Sequence, residues 1–174
     1  MEIKLKDCDE HQLAEILDIF NDAILNSTAL YDYKIRTMET MQLWYADKLN
    51  HNHPVIGAFD DNNMLLGFAT YGQFRVRPAY KYTVEHSVYV QKNQRGLGLG
   101  SLLLTEIIRK AEEQNFHVMV GVIDATNDVS IKLHEKHGFK LTGIMQQVGY
   151  KFEKWLDAAF YQLVLKTPEF PTED

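Results

Sequence analysis

Between Thr83 and Glu113 the chain changes its period once, and it does so across glycines. "TVEHSVYV" (83–90) alternates as a strand does, with Val84, Val88 and Val90 on one face and Thr83, Glu85, Ser87 and Tyr89 on the other. Beyond it Leu104, Ile107, Ile108 and Ala111 recur at helical spacing, with Glu106, Arg109, Lys110 and Glu113 outside the stripe. The junction reads "QRGLGLG", which puts Gly96, Gly98 and Gly100 at alternate positions. A strand that feeds a helix through glycines presents the helix's unpaired N–H groups, and the positive end of its dipole, with no Cβ in front of them. That is an anion site, and Arg95 adds a cation whose planar fork suits phosphate. The junction predicts a phosphate-bearing ligand over residues 95–101; the plainer possibility is a glycine turn with no ligand.

Two common phosphate loops do not fit. A P-loop has Lys-Ser/Thr after its last glycine, and Ser101-Leu102 stands here. A dinucleotide fingerprint reads G-x-G-x-x-G after a first strand, whereas this G-x-G-x-G falls late in the chain.

The remaining segments interleave the two periods. "EIKLK", "PVIGAFD", "MLLGFATYGQF", "HVMVGVI", "FKLTGIMQQVGY" and "AAFYQLVL" read as strands, with "DNN" a turn between the second and third. "DEHQLAEILDIFNDAIL", capped by Asp9, and "METMQLWYADKL" read as helices. "NDVSIKLHEKH" is a short helix stopped by Gly138 with Phe139 after it. The class is therefore α/β or mixed α+β with a largely antiparallel sheet. A chain of 174 residues predicts one domain, residues 1–166, ahead of a solvated tail, 167–174, where "KTPEFPTED" carries two prolines and three acids. A net charge of −6 argues against a broad nucleic-acid surface. No apolar run has the length of a membrane span, and "MEIKLKDCDE" lacks the apolar core of a signal peptide. Cys8, the one cysteine, excludes an intramolecular disulfide and fits a reducing, cytoplasmic setting.

Arg95-x-x-Gly98-x-Gly100 matches the (Arg/Gln)-x-x-Gly-x-(Gly/Ala) signature of the GNAT N-acetyltransferase superfamily, and "NDVSIKLHEKHGF" resembles the Asn-led segment that follows it there. "RPAYKYTVEHSVYV", "QRGLGLGSLLL", "NDVSIKLHEKHGF" and "GYKFEKWLDAAFYQ" together resemble the phosphinothricin and methionine sulfoximine acetyltransferases, in that family's order and over nearly the whole chain. The resemblance implies a twisted, largely antiparallel mixed sheet flanked by helices, with acetyl-CoA in a cleft between splayed central strands. It implies acetyl-CoA as co-substrate, no metal, a homodimer, and direct acetylation of the α-amino group of a small amino acid or analogue. The rival readings are an acetyltransferase for another amine (a polyamine, an aminoglycoside or a protein N-terminus) and a non-catalytic acetyl-CoA sensor.

Acetyl transfer to an amine requires that the ammonium lose a proton, that the thioester carbonyl be polarised, and that the leaving thiolate be tolerated or protonated. Glu85, a carboxylate amid an apolar strand, is costly there without a task or a partner. The resemblance makes it the general base; a salt-bridged structural glutamate is the alternative. The resemblance also places the pyrophosphate on Arg95, Gly96, Leu97, Gly98, Leu99, Gly100 and Ser101, and the pantetheine arm along the backbone of Val88, Tyr89 and Val90. Asn127 is a good helix N-cap by residue type, and the resemblance adds a pantetheine contact there, with Ser130 beside it. His134 stands where many GNAT enzymes carry a tyrosine that protonates the thiolate, and a histidine is able to do the same. Arg75 and Arg77, two apart, would share one face of a strand and, with Tyr80 and Tyr82, suit a carboxylate, phosphinate or sulfoximine group. A solvated strand end is the alternative for them. Thr28, Tyr31 and Tyr33 would form the opposite wall. His51-x-His53 and His134-x-x-His137 have metal-ligand spacings, but no cysteine pair or carboxylate set completes either one. Cys8, on the first strand, is expected as packing and not as an acyl carrier.

Overall fold

A computed structural model describes residues 2–173. In chain order its elements are β1 (Lys4–Asp7), α1 (Leu13–Asn26), α2 (Met38–Asn50), β2 (Val55–Phe59), β3 (Leu65–Gln73), β4 (Thr83–Val90), α3 (Leu99–Glu113), β5 (Val118–Asp124), α4 (Asp128–Lys136), β6 (Lys140–Lys151) and β7 (Lys154–Val164). The strands form one sheet in the order β1-β2-β3-β4-β5-β7-β6. β1–β2, β2–β3, β5–β7 and β6–β7 are antiparallel, and β4–β5 is parallel. Phe74 N–H donates to Thr83 O at one end of the β3–β4 pair and Gln91 N–H to Leu66 O at the other, so that pair is antiparallel too. This is the mixed, largely antiparallel sheet that the sequence predicted.

The chain forms two compact units, the first running to Thr70 and including Ser87–Ile107, the second holding Tyr71–His86 and everything from Ile108. β3, β4 and α3 each pass through both.

In the first unit, α1 buries Leu13, Ile16, Ile19, Phe20, Ala23 and Ile24, the one-sided stripe that its spacing encodes. Asp9 caps the 3-10 turn ahead of it: its carboxylate accepts from His11 N–H while the Gln12 side chain accepts from Asp9 N–H. Thr37 and Thr40 close the same reciprocal box at the start of α2. β2 is buried along its whole length, and Phe20, Trp44, Phe68 and Tyr89 meet ring edge to ring face at 5.1–6.4 Å. Each such ring contributes on the order of 1.5–3 kcal/mol by burial.

In the second unit β5 is the central strand. Its near-continuous apolar run pairs with β7 from Val118↔Val164 to Asp124↔Ala158. β6 and β7 form a hairpin whose two turn residues, Phe152 and Glu153, both have positive φ (51° and 61°), the backbone that a tight hairpin of this hand requires.

Two expectations need correction. β1 starts at Lys4, and Cys8 lies one residue beyond it, buried, with its N–H on Val55 O. β3 stops at Gln73, short of both arginines that were expected on a strand. The C-terminal tail is exposed from Glu169 to Glu173, but it is tied down: Thr167 Oγ1 donates to Phe116 O, His117 Nδ1 donates to Thr167 O, and Thr172 N–H donates to Tyr82 Oη.

Candidate active site

The glycine junction behaves as its composition dictates. Gly96 and Gly98 have φ of +80° and +79°, a backbone that side chains with a Cβ rarely adopt. A Cβ added at either would meet no atom within 4 Å, so the loop surface lies open there. α3 begins at once, with Ser101 N–H and Leu102 N–H both directed to Gly98 O. Leu99 is buried and anchors the first turn, whereas Arg95, Gly96, Leu97 and Gly98 are exposed. Upstream, Gln91 pins the loop to β3: its N–H donates to Leu66 O and its Nε2 to Leu65 O. The open glycines, the exposed cation and the N-terminus of a 15-residue helix fit the pyrophosphate of acetyl-CoA.

β4 leads into this loop. Its parallel ladder with β5 covers Thr83↔Val118 to Glu85↔Val120, although β4 itself runs on to Val90. Tyr89 packs its ring on Phe20 and Phe68, so its side chain belongs to the core. At Gly67 on β3 a Cβ would lie 2.7 Å from Tyr89 O and 3.1 Å from the Val90 Cα, so glycine permits a close approach of β3 to this end of β4.

Glu85 sits mid-strand and half-buried. Burial raises its carboxyl pKa above the ordinary value, and the Arg75 guanidinium opposes that rise. Arg75 is not on a strand. It is exposed, donates to Phe74 O at 2.8 Å and lies 4.3 Å over the Phe74 ring, which in turn meets the edge of Tyr80. Arg77 precedes the 3-10 turn Pro78–Tyr80. The expected shared strand face of Arg75 and Arg77 therefore does not exist; Arg75 joins Glu85 electrostatically, and Tyr82 turns to the tail.

In the first unit, Thr28 and Tyr31 lie on the loop between α1 and α2, with Tyr31 38% exposed and Tyr33 71%. The loop is anchored by residues that the sequence did not flag. Arg36 N–H donates to Asn21 Oδ1 at 2.8 Å, Asn21 Nδ2 returns to Arg36 O at 3.1 Å, and the Arg36 guanidinium lies 3.9 Å over Phe20 and 3.2 Å from Asp32.

Asn127 caps α4, accepting from Ser130 N–H at 3.1 Å. The turn before it is held by the buried Asp124, whose carboxylate accepts from Thr126 N–H and Thr126 Oγ1. His134 lies inward on α4. It is 4% exposed, and its Nδ1 lies 2.7 Å from Ser130 O, an acceptor only, so Nδ1 carries the proton. Nε2 is then the acceptor, 3.1 Å from Nε2 of His86, which must donate. Burial holds the His134 pKa below its ordinary value. Both ring nitrogens of His134 thus have partners inside the protein. His86 itself was passed over among the valines of its strand.

Residues 14–139 match the model of the Acetyltransferase (GNAT) family, a span that draws on both units. The chain is 41% identical to L-methionine sulfoximine/L-methionine sulfone acetyltransferase of Pseudomonas aeruginosa, over 95% of this chain and 96% of that one. The fold superposes on an N-acetyltransferase from Staphylococcus aureus Mu50 with a TM-score of 0.93, 44% identity, and coverage of 95% of this chain and 100% of the other. It superposes on a GNAT phosphinothricin acetyltransferase from Sinorhizobium meliloti, solved in complex with acetyl-CoA, with a TM-score of 0.92, 32% identity, and coverage of 97% and 95%. With the family model matched over residues 14–139 and 41% identity across 95% of the chain to one such enzyme, the protein belongs to the GNAT family of acetyltransferases.

Proposed function

We propose that the protein transfers the acetyl group of acetyl-CoA to the α-amino group of a small amino acid or analogue of the methionine sulfoximine, methionine sulfone or phosphinothricin kind. The observation that carries this reading is Glu85 itself, a half-buried carboxylate mid-strand on β4, which leads into the glycine loop, with burial raising its basicity. The 41% identity with a methionine sulfoximine/sulfone acetyltransferase supports the acceptor class. Acetyl-CoA supplies the thioester, and Arg95 with residues 96–101 would hold its pyrophosphate. The backbone of Val88–Val90 and the Asn127–Ser130 turn would guide its pantetheine arm. Glu85 takes one ammonium proton, directly or through water; the amine lone pair attacks the thioester carbon; the tetrahedral intermediate collapses with the C–S electron pair going to sulfur, and the nitrogen gives its remaining extra proton to solvent. With His134 committed internally, the thiolate takes its proton from solvent. Arg75, with Arg77 and Tyr80, would receive the acceptor's acidic group, and Thr28 and Tyr31 are further candidate acceptor contacts.

In this reading residues 1–166 form one catalytic domain, supported by a family match that runs over residues 14–139. A homodimer is supported by β6: between Lys140 and Lys151 it carries no charged residue and exposes Leu141, Ile144, Met145, Val148 and Tyr150 at a sheet edge. In a chain of net charge −6, this charge-free edge suits a second copy of itself. A cytoplasmic setting fits the buried Cys8 thiol, pushed up to about 12 by burial and nearby carboxylates and so kept un-ionised.

The test is thiol release from acetyl-CoA against methionine sulfoximine, its amide, methionine sulfone, phosphinothricin, proteinogenic amino acids and polyamines. The expected result is turnover of the acidic analogues and little with the amide or polyamines. Equal turnover of methionine sulfoximine and its amide would remove the arginines from the acceptor site.

A further inference from the structure

We infer that His86 is a positioning residue: its hydrogen bond to His134, seated over Gly121, fixes the first turn of α4 against the strand that carries Glu85. The inference rests on the reading that this turn meets the acetyl-CoA arm.

α4 has nine residues, too few to hold a helix by its own hydrogen bonds. Among the described residues its buried side chain is His134, so its seat on the sheet depends on that ring. The ring reaches both ways. Nδ1–H grips the carbonyl of Ser130 in the first turn, which Asn127 caps; Nε2 accepts from His86 on β4. Glu85 and His86 are neighbours on β4 and so point to opposite faces of it. A continuous chain of bonds thus runs from the base-bearing strand to the capped turn.

Two further facts show that the contact is built. Gly121 lies in the middle of β5, where glycine weakens a strand. A Cβ there would sit 3.0 Å from His86 Nε2 and 3.1 Å from His134 Cδ2, so a larger residue would have to push the rings by a few tenths of an ångström. Phe139 meets the edge or face of both rings at 5.4 and 5.1 Å and closes the cage. The second fact is a cost. His86 Nδ1 is buried without a hydrogen-bond partner, the consequence of spending the ring's one proton on His134. A fold that needed only an apolar filler here would hold a leucine or a phenylalanine without that cost.

The experiment compares wild type, H86M, H86Q and G121A. Methionine fills the space and donates nothing; glutamine places an amide donor near the position of Nε2. Acetyl-CoA Kd, measured by calorimetry, should rise roughly two- to tenfold in H86M and G121A, the loss of one hydrogen bond's ordering. H86Q should return close to wild type, and the acceptor KM should stay constant throughout. Unchanged acetyl-CoA Kd in H86M alongside a lowered Tm would mean that His86 serves stability only, and would overturn the inference. Should H86M fail to fold, imidazole nitrogen NMR of the wild type decides: His86 must be the Nε2–H tautomer and His134 the Nδ1–H tautomer, and either one reversed sinks the idea. A wild type that does not bind acetyl-CoA defeats the functional reading instead, and the NMR pattern tells the two failures apart.

Discussion

Acid should weaken this protein through His86 before most carboxylates titrate. The ring is 7% exposed, its Nε2 proton is spent on His134, and protonating Nδ1 would place a charge where no acceptor lies. Burial, with His134 beside it, pushes its pKa down to about 3, against about 6.5 in an unfolded chain. The folded value is the depressed one, so the unfolded chain binds the proton first. Stability is therefore full above pH about 6.5 and falls as pH drops toward the folded value, by about 1.4 kcal/mol per unit. Between pH 7 and pH 5 the loss at this one site is about 2 kcal/mol, a large share of a typical domain's 5–15. Urea unfolding at pH 7, 6 and 5, on wild type and H86M, reads it together with any change at His134, whose pKa burial also lowers. H86M is less stable at every pH, but its stability should fall about 2 kcal/mol less over that range. His53, also pushed down (to about 4) by burial and Lys48, is half-exposed, contributes less, and is present in both proteins. Parallel curves for the two proteins would show that His86 is protonated in the fold at little cost, and the tautomer assignment would fall with it.

At the loop, R95A should weaken acetyl-CoA binding about 10- to 150-fold, the loss of a charge-assisted hydrogen bond, and G98V should do at least as much because valine resists φ of +79°. Calorimetry reads both, and unchanged affinity in the two variants would remove the loop from the site. At the base, E85Q should lower kcat by about 10²–10⁴ with acetyl-CoA affinity kept; full activity at neutral pH would pass the proton to another group. The rising acid limb of kcat/KM against pH should lie above the ordinary glutamate range, since burial raises the Glu85 pKa. Arg75 opposes that rise, so R75Q should move the limb further up; an unmoved limb would separate Arg75 from the base.

What could be read from the sequence, and what could not, follows from the range of each signal. The strand at 83–90, the helix after the glycines and the Gly138 stop are local patterns, and the structure carries them within a residue or so. The arginine pair shares no strand face because i, i+2 spacing does so only inside a strand, and β3 ends at Gln73. The Phe152–Glu153 turn has no glycine or asparagine to announce it, since the long β6–β7 pairing on either side imposes the conformation. His86 and His134 are 48 residues apart, and no period links them. Yet each left a trace in its own segment. His86 stands at an inward position between Val84 and Val88, where a polar ring has to find a partner. Gly121 interrupts an otherwise apolar strand, where a glycine implies that something approaches closely. Put together, an inward histidine on one central strand and a gap on another predict a second polar group arriving over the gap. The helix that follows β5 offers His134 one turn after Ser130, which is the group the structure brings there.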